Sequence, residues 1–383
     1  MTTYSNLRDS AGNAIGIRCR DARIEAIGPG ITAPDAIDGG GRLVLPAFVE
    51  PHVHLDKTLW GEPWQPGKRA ARLRDYIENE RRVLSANTTS PEERAGRLLA
   101  QMLAYGTTAV RSHIDVAPDM GLTHVQAMMR LRDAWSDRVD LQFVAFPQQG
   151  LLCCPGTTDL IRAAIDMGVE TVGGLDPAGI DGDPDGQLRF IFDLAVEKGT
   201  GVDIHLHDKG DLGAWQVERI ADYTAASGLA GKVMISHAYC LGMIPDARLA
   251  RIGRRLADNG ISLMTSAPAD VAVPPVEELT EMGVTVCCGS DGIRDSWSPF
   301  GNGDMLERAF LTAYRFDWNR DEDFVLALNC ATHAAAKAIG ISDYGLEVGD
   351  RADFVFIAAS GAGDALCRRP ADRRVVRRGV LVA

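Results

Sequence analysis

Two histidines separated by a single residue occur in "FVEPHVHLDK" (His52, His54), and the pattern returns in "DIHLHD" (His205, His207). In an extended strand, residues i and i+2 share a face, so each pair would present two imidazoles together. Alone, the first pair reads equally as two polar residues ending a buried strand. With a third imidazole, His205, and a carboxylate, Asp291 in "CCGSDG", three nitrogens and one oxygen become available. Such a set around an open position suits Zn²⁺ or Fe²⁺. An ion of that kind lowers the pKa of water towards ~7 and so makes hydroxide available at neutral pH.

These residues must be brought together by the elements that carry them. Eight apolar runs follow one another: "RLVLPAFVEPHVH", "TTAVRSHIDV", "RVDLQFVAFPQ", "ETVGGLD", "GVDIHLHD", "KVMISHA", "ISLMTSAP" and "VTVCCGSD". Amphipathic stretches such as "PEERAGRLLAQMLAYG" and "GQLRFIFDLAVEKG" separate them, many closed by glycine as helix C-termini are. Eight strand-then-helix units predict an α/β protein built as a (β/α)8 TIM barrel. A doubly wound sheet would need a glycine-rich phosphate turn after its first strand, and "EPHVHLDKT" is not one. Most runs begin apolar and end polar, at His52 and His54, His113 and Asp115, Gln148, Asp176, His205 to Asp208, Ser236 and His237, and Ser290 and Asp291. In a barrel those ends converge on the rim where such folds keep their chemistry. The flanking "GIRCRDARIEAIGPG" and "LEVGDRADFVFIAA" alternate apolar and polar residues, as half-exposed antiparallel strands do.

Composition narrows the partners. With 52 acidic against 40 basic residues the net charge is -12, which repels a phosphate backbone, and nucleic acid is not an expected partner. The N-terminal "MTTYSNLRDSAGNAIG" lacks a basic segment followed by an apolar one, and no apolar stretch reaches the ~20 residues that cross a bilayer. The expectation is a cytoplasmic protein without a membrane partner, compatible with a homo-oligomer. Eight cysteines, with "CC" at 153–154 and 287–288, form neither a disulfide framework nor a zinc CxxC pair. "GIDGDPDGQ" lacks the spacing of a calcium loop and reads as a turn.

"FVEPHVHLDK", "HLHD", "SHA" and "GSDGIRDSWSPFGNGDM", in this order, resemble the amidohydrolase superfamily and, within it, the cytosine deaminase-like branch. The resemblance implies a small β-sandwich formed by residues 1–47 and 341–383 beside a catalytic barrel of residues 48–340. It places metal ligands on His52, His54, His205 and Asp291. Two-metal members carry a lysine at the end of strand four, where "TVGGLDPAG" offers Asp176, so a single divalent ion, Zn or Fe, is expected. The branch's ring-protonating acid falls on Asp208, one methylene shorter than the usual glutamate, and its water-orienting histidine on His237, with Asp291 sharing the proton. "LQFVAFPQQGLL" resembles the cytosine deaminase segment whose glutamine bonds the pyrimidine amide edge, which carries to Gln148. Lys57, "VGGLDPAG" and "IRDSWSPFGNGDM" look more like the N-alkylammelide (s-triazine) alkylaminohydrolases, and add Lys57, Asp176 and Trp297 as candidate substrate contacts.

The expected function is hydrolytic deamination of a small amino-substituted heterocycle such as cytosine or 5-methylcytosine, with N-alkylammelide dealkylamination as the alternative and a non-catalytic binding barrel as the third reading. Structural roles compete for several positions. Asp176 before Pro177 also suits a turn. Lys57 also suits a carboxylate pair, Trp297 loop packing, and His113 a structural hydrogen-bond pair. His207 is expected beside the ligands or in the pocket, and His124 and His333 on helices as packing or surface residues.

Overall fold

The computed structural model describes residues 1–67 and 73–383. Four strands come first: β1 (Thr2–Arg8), β2 (Ala14–Arg20), β3 (Arg23–Gly28) and β4 (Ile37–Pro46). The barrel strands follow as β5 (Phe48–Val53), β6 (Thr107–Asp115), β7 (Asp140–Phe146), β8 (Thr171–Leu175), β9 (Gly201–Leu206), β10 (Val233–His237), β11 (Ser262–Thr265) and β12 (Val286–Cys288). The chain ends with β13 (Phe354–Ile357), β14 (Arg373–Arg377) and β15 (Val380–Leu381).

Strands β5 to β12 lie side by side in sequence order, all parallel, with helices between them. The first and last meet at a parallel bridge between Val53 and Asp291, where the Asp291 N–H donates to the His52 carbonyl at 2.9 Å. Every residue of β6 is buried, as expected of a strand with helices on one face and the barrel interior on the other. The helices start and stop on their own chemistry. Ser90 caps Pro91–Ala104 by accepting from the Glu93 N–H, Asp183 caps Pro184–Lys198, and Gly199 and Gly228 close two helices in the left-handed region.

The N- and C-terminal segments form the expected accessory unit as one mixed sheet, in the order β15-β14-β13-β4-β1-β2-β3. It encloses a separate apolar core in which Tyr4 packs edge-on against Phe354 and Phe356, 5.5 Å away in each case. The first of the eight apolar runs serves both sheets. It breaks at Ala47, so that β4 stays in the accessory sheet and β5 opens the barrel. The Ala47 N–H donates to the Asp353 carbonyl, and Tyr344 Oη donates to the Ala47 carbonyl. Among the described residues no helix is long and apolar enough to cross a membrane.

Candidate active site

The C-terminal strand ends converge as the alternation requires. His52 lies on β5 and His54 one residue beyond it, His205 on β9, His237 at the end of β10 and Asp291 three residues after β12. Asp176, His237 and Asp291 all have positive φ, at 34°, 73° and 61°. That region is unfavourable for residues with a Cβ, by of order 1 kcal/mol or more each, and it is tolerated here where strands turn sharply into their loops. Gly289 lets β12 close on β5, since a Cβ there would stand 2.9 Å from His52 Cβ.

Ligating atoms of His52, His54, His113 and His205 lie within 4.8 Å of one another, as do those of His52, His237 and Asp291. Asp291 Oδ1 is 3.4 Å from His54 Nε2 and 3.7 Å from His52 Nε2, and His54 Nε2 is 3.4 Å from His205 Nε2. Burial, then the charge of Lys57, pushes the His54 pKa down to about 3, and burial holds His205 and His237 well below the usual imidazole value. Burial opposes ionisation of Asp291, but the His237, His52 and His54 rings outweigh it and hold the carboxyl well below its usual range. At neutral pH His54, His205 and His237 are therefore neutral imidazoles beside one carboxylate. Buried ring nitrogens of His52 (Nε2), His54 (Nδ1), His205 (Nδ1) and His237 (Nε2) have no hydrogen-bond partner. Buried polar atoms are nearly always paired, and of these the Nε2 atoms of His52 and His237 lie 3.7 and 4.0 Å from Asp291, where together with His54 Nε2 they fit a cation.

Across a cavity of about 100 Å³ from this cluster stands a second constellation. Lys57, buried, donates to Gln148 Oε1 at 2.6 Å and lies 3.2 Å from Asp115 and 3.4 Å from Glu80. Burial works against the ammonium, but Asp115, Glu80, Asp56 and Asp295 outweigh it and raise its pKa. Burial raises the Asp115 carboxyl to about 6 and Glu80 well above its usual value, with Lys57 opposing both. Trp297 lines the cavity, stacks on Tyr76 at 5.3 Å and donates from Nε1 to Glu80 at 2.5 Å. Lys57 thus has its carboxylate partners and also faces the cavity, and Trp297 is both packed and part of the wall.

The third wall is His207. Its Nδ1 lies 2.8 Å from Asp176 Oδ2, while Asp176 Oδ1 accepts from the backbone N–H groups of His207 and Asp208. Burial opposes the imidazolium, but Asp176 outweighs it and raises the His207 pKa. The ring stacks on His237 at 4.5 Å and lines the cavity. Asp176 therefore meets the cavity through His207. Asp208 faces elsewhere, with Oδ2 accepting from the Gly179 N–H and from Gln216 Nε2, both at 2.9 Å. Gly179 is needed for that approach, since a Cβ there would lie 2.3 Å from Asp208 Oδ1.

His113 sits inside the cluster, 4.0 Å from the His52 ring between centroids, and its Nε2 lies 3.5 Å from Asp203. Its structural pairing expectation becomes a ring contact plus a charge neighbour. His124 pairs with Asp56 at 2.8 Å, and His333 begins a short helix and packs edge-on against Tyr344. Sequence reasoning did not single out Glu50, Glu80, Asp203 or Asp295. Asp203 had a signal, standing two residues before His205 on the same strand face. Glu80 had none, since it lies in a helix outside the barrel alternation.

A parallel eight-stranded barrel with an imidazole and carboxylate cluster at its C-terminal rim is the frame of a metal-dependent hydrolase, and a model of the amidohydrolase family matches residues 71–383. The chain belongs to that family, in its cytosine deaminase-like branch, and is a hydrolase of C–N bonds. It is 33% identical over 367 residues to N-isopropylammelide isopropyl amidohydrolase of Pseudomonas sp. (strain ADP), covering 92% of this chain and 89% of the other. The crystal structure of N-isopropylammelide isopropylaminohydrolase from Burkholderia multivorans superposes with a TM-score of 0.96 at 41% identity, over 100% of this chain and 98% of that one. The structure of 5-methylcytosine deaminase from Klebsiella pneumoniae liganded with 5-fluorocytosine gives a TM-score of 0.90 at 28% identity, over 100% and 97%.

Proposed function

We propose that this protein hydrolyses an amino or alkylamino group from a small nitrogen heterocycle that also carries a ring carbonyl, with N-alkylammelides as its preferred substrates. The observation that carries the reading is the Lys57–Gln148 pair facing the imidazole cluster across the cavity. Lys57 has protons and no acceptor, so Gln148 must meet it through Oε1 and keeps its NH₂ to donate into the cavity. That donor selects an acceptor edge such as a ring carbonyl, and Trp297 and Phe146 supply apolar walls for a flat ring.

His52, His54, His205 and Asp291 would hold one divalent ion, Zn or Fe, and β8 ends at Leu175, followed by Asp176 where a second ion's lysine would be needed. Bound there, the ion supplies Lewis acidity that brings the pKa of water towards ~7. His237 and Asp291 then take the proton of the attacking water. His207, aimed by Asp176, donates to a ring nitrogen, and the ring carbon gains an oxygen as its bond to the amine nitrogen breaks. The proton taken from the water passes to the leaving amine, and the hydroxyl proton of the added oxygen restores the one His207 gave as the ring carbonyl forms. Residues 1–47 and 341–383 serve as the accessory unit, and 48–340 as the catalytic barrel.

Identity to the two N-isopropylammelide hydrolases and the use of His207 in place of a cavity-facing carboxylic acid favour the triazine class. The Gln148 segment and the similarity to 5-methylcytosine deaminase favour cytosines as the second reading. Metal-replete protein is incubated with N-isopropylammelide, ammelide, cytosine and 5-methylcytosine, and amine and ammonia are measured. Isopropylamine release faster than any ammonia release, abolished by a chelator, is the expected result. Faster ammonia release from either cytosine would replace the first reading by the second, and no release from any compound would end both.

A further inference from the structure

The metal site just proposed needs a lone pair on His52, and the nitrogen that carries the proton is decided behind the ring, away from the cavity. His52 Nδ1 lies 2.9 Å from Ser236 Oγ, and Ser236 Oγ donates to Asp203 Oδ1 at 2.9 Å. All three residues are fully buried. The other oxygen of Asp203 lies 3.5 Å from His113 Nε2 and 3.7 Å from Arg111 Nη1. Strand register brings the parts together, since β9 and β10 pair Ser236 with His205, two residues beyond Asp203 on the same face.

The direction of each bond follows from what each group has to give. A carboxylate only accepts, so the single serine proton goes to Asp203. Ser236 Oγ can then meet His52 Nδ1 only as an acceptor, and Nδ1 carries the ring proton. A neutral imidazole protonated at Nδ1 has its lone pair at Nε2, the atom that lacks any partner and lies 3.7 Å from Asp291. In the opposite tautomer two lone pairs would oppose each other at Ser236. Partners behind a ligating histidine commonly set its tautomer and basicity in this way.

We propose that Asp203, acting through Ser236, is a positioning residue that fixes His52 in its Nδ1–H tautomer and so presents Nε2 for metal binding. The inference rests on the metal-site reading above, and two measurements on the full-length protein separate their failures. The first is the ¹⁵N spectrum of histidine-labelled apo protein, with His52 assigned by its loss in His52→Gln. An Nδ1–H pattern is expected, and an Nε2–H pattern overturns the proposal without touching the metal site.

The second is zinc affinity by chelator competition, together with the absorption bands of the cobalt form. Ser236→Ala is expected to bind zinc about 10- to 100-fold more weakly, with altered cobalt bands, while Ser236→Thr, which keeps the hydroxyl, regains most of the affinity. A merely structural serine would lower the melting temperature of the apo protein and leave affinity and bands unchanged, which overturns the proposal. Equal losses in Ser236→Ala and Ser236→Thr overturn it as well. Failure of the wild-type protein to bind zinc or cobalt would overturn the metal-site reading itself.

Discussion

His207 and Asp208 are neighbours after β9, yet their side chains face different surroundings. The His207 ring lines the cavity and is held by Asp176, whereas the Asp208 carboxylate is occupied by Gly179 and Gln216. His207→Ala is therefore expected to lower kcat by roughly 10²- to 10⁴-fold, the range of a lost general acid, with metal content unchanged. Asp208→Asn keeps an acceptor oxygen for its two partners and is expected to stay within about tenfold of wild type, short of that range. Steady-state kinetics and metal analysis of both variants check this. A loss in Asp208→Asn as large as in His207→Ala would return the acid role to Asp208. The motif "HLHD" showed that both residues stand near the site, because strand alternation is local. Which of them turns inward depends on Gly179 and Gln216, residues that reach Asp208 only through the fold.

Between elements, the decisive seam is the one where β12 meets β5, since it joins Asp291 to the two histidines of the first barrel strand. Glu50 spans it. One buried carboxylate accepts from the His52 N–H at 3.1 Å and from the Ser290 N–H at 3.1 and 3.2 Å, and burial raises its pKa. Glu50→Ala would leave two buried N–H groups without an acceptor, at about 1–3 kcal/mol each, so a loss of at least about 2 kcal/mol is expected from urea unfolding. Glu50→Gln retains one acceptor oxygen and is expected to lose less. A Glu50→Ala protein as stable as wild type would show that the seam does not depend on this residue. In sequence, Glu50 is an isolated acidic residue in an apolar run, and nothing local marks its partner 240 positions away.

Across the whole molecule, the accessory sheet is fastened to the barrel by buried ion pairs as well as by apolar packing. Arg373 on β14 makes a two-pronged pair with Asp304 at 2.7 and 2.6 Å and donates to the Tyr105 carbonyl, while Asp304 also caps the helix Met305–Arg315. Arg377 joins Asp353 and Asp140, and Arg351 joins Asp140, linking β14 and the loop before β13 to the start of β7. Breaking one member of a buried pair leaves an uncompensated charge, so Arg373→Ala is expected to cost about 3–5 kcal/mol in urea unfolding. Replacing both partners, Arg373→Met with Asp304→Leu, is expected to recover all but the ~1 kcal/mol of the lost helix cap. A single variant that costs under about 1 kcal/mol would mean that the two units are held by other contacts.

The sequence by itself determined the eight-fold strand and helix order, the barrel, and which strand ends carry imidazole and carboxylate. Hydrophobic periodicity and strand alternation are properties of neighbouring residues and need no partner to be read. Only the tertiary structure decided that Lys57 meets Gln148, Glu80 and Asp115, that His207 and not Asp208 lines the cavity, and that Asp203 and Ser236 stand behind His52. Those choices depend on groups up to 184 residues apart being desolvated in one place, where each buried charge and lone pair must find its complement.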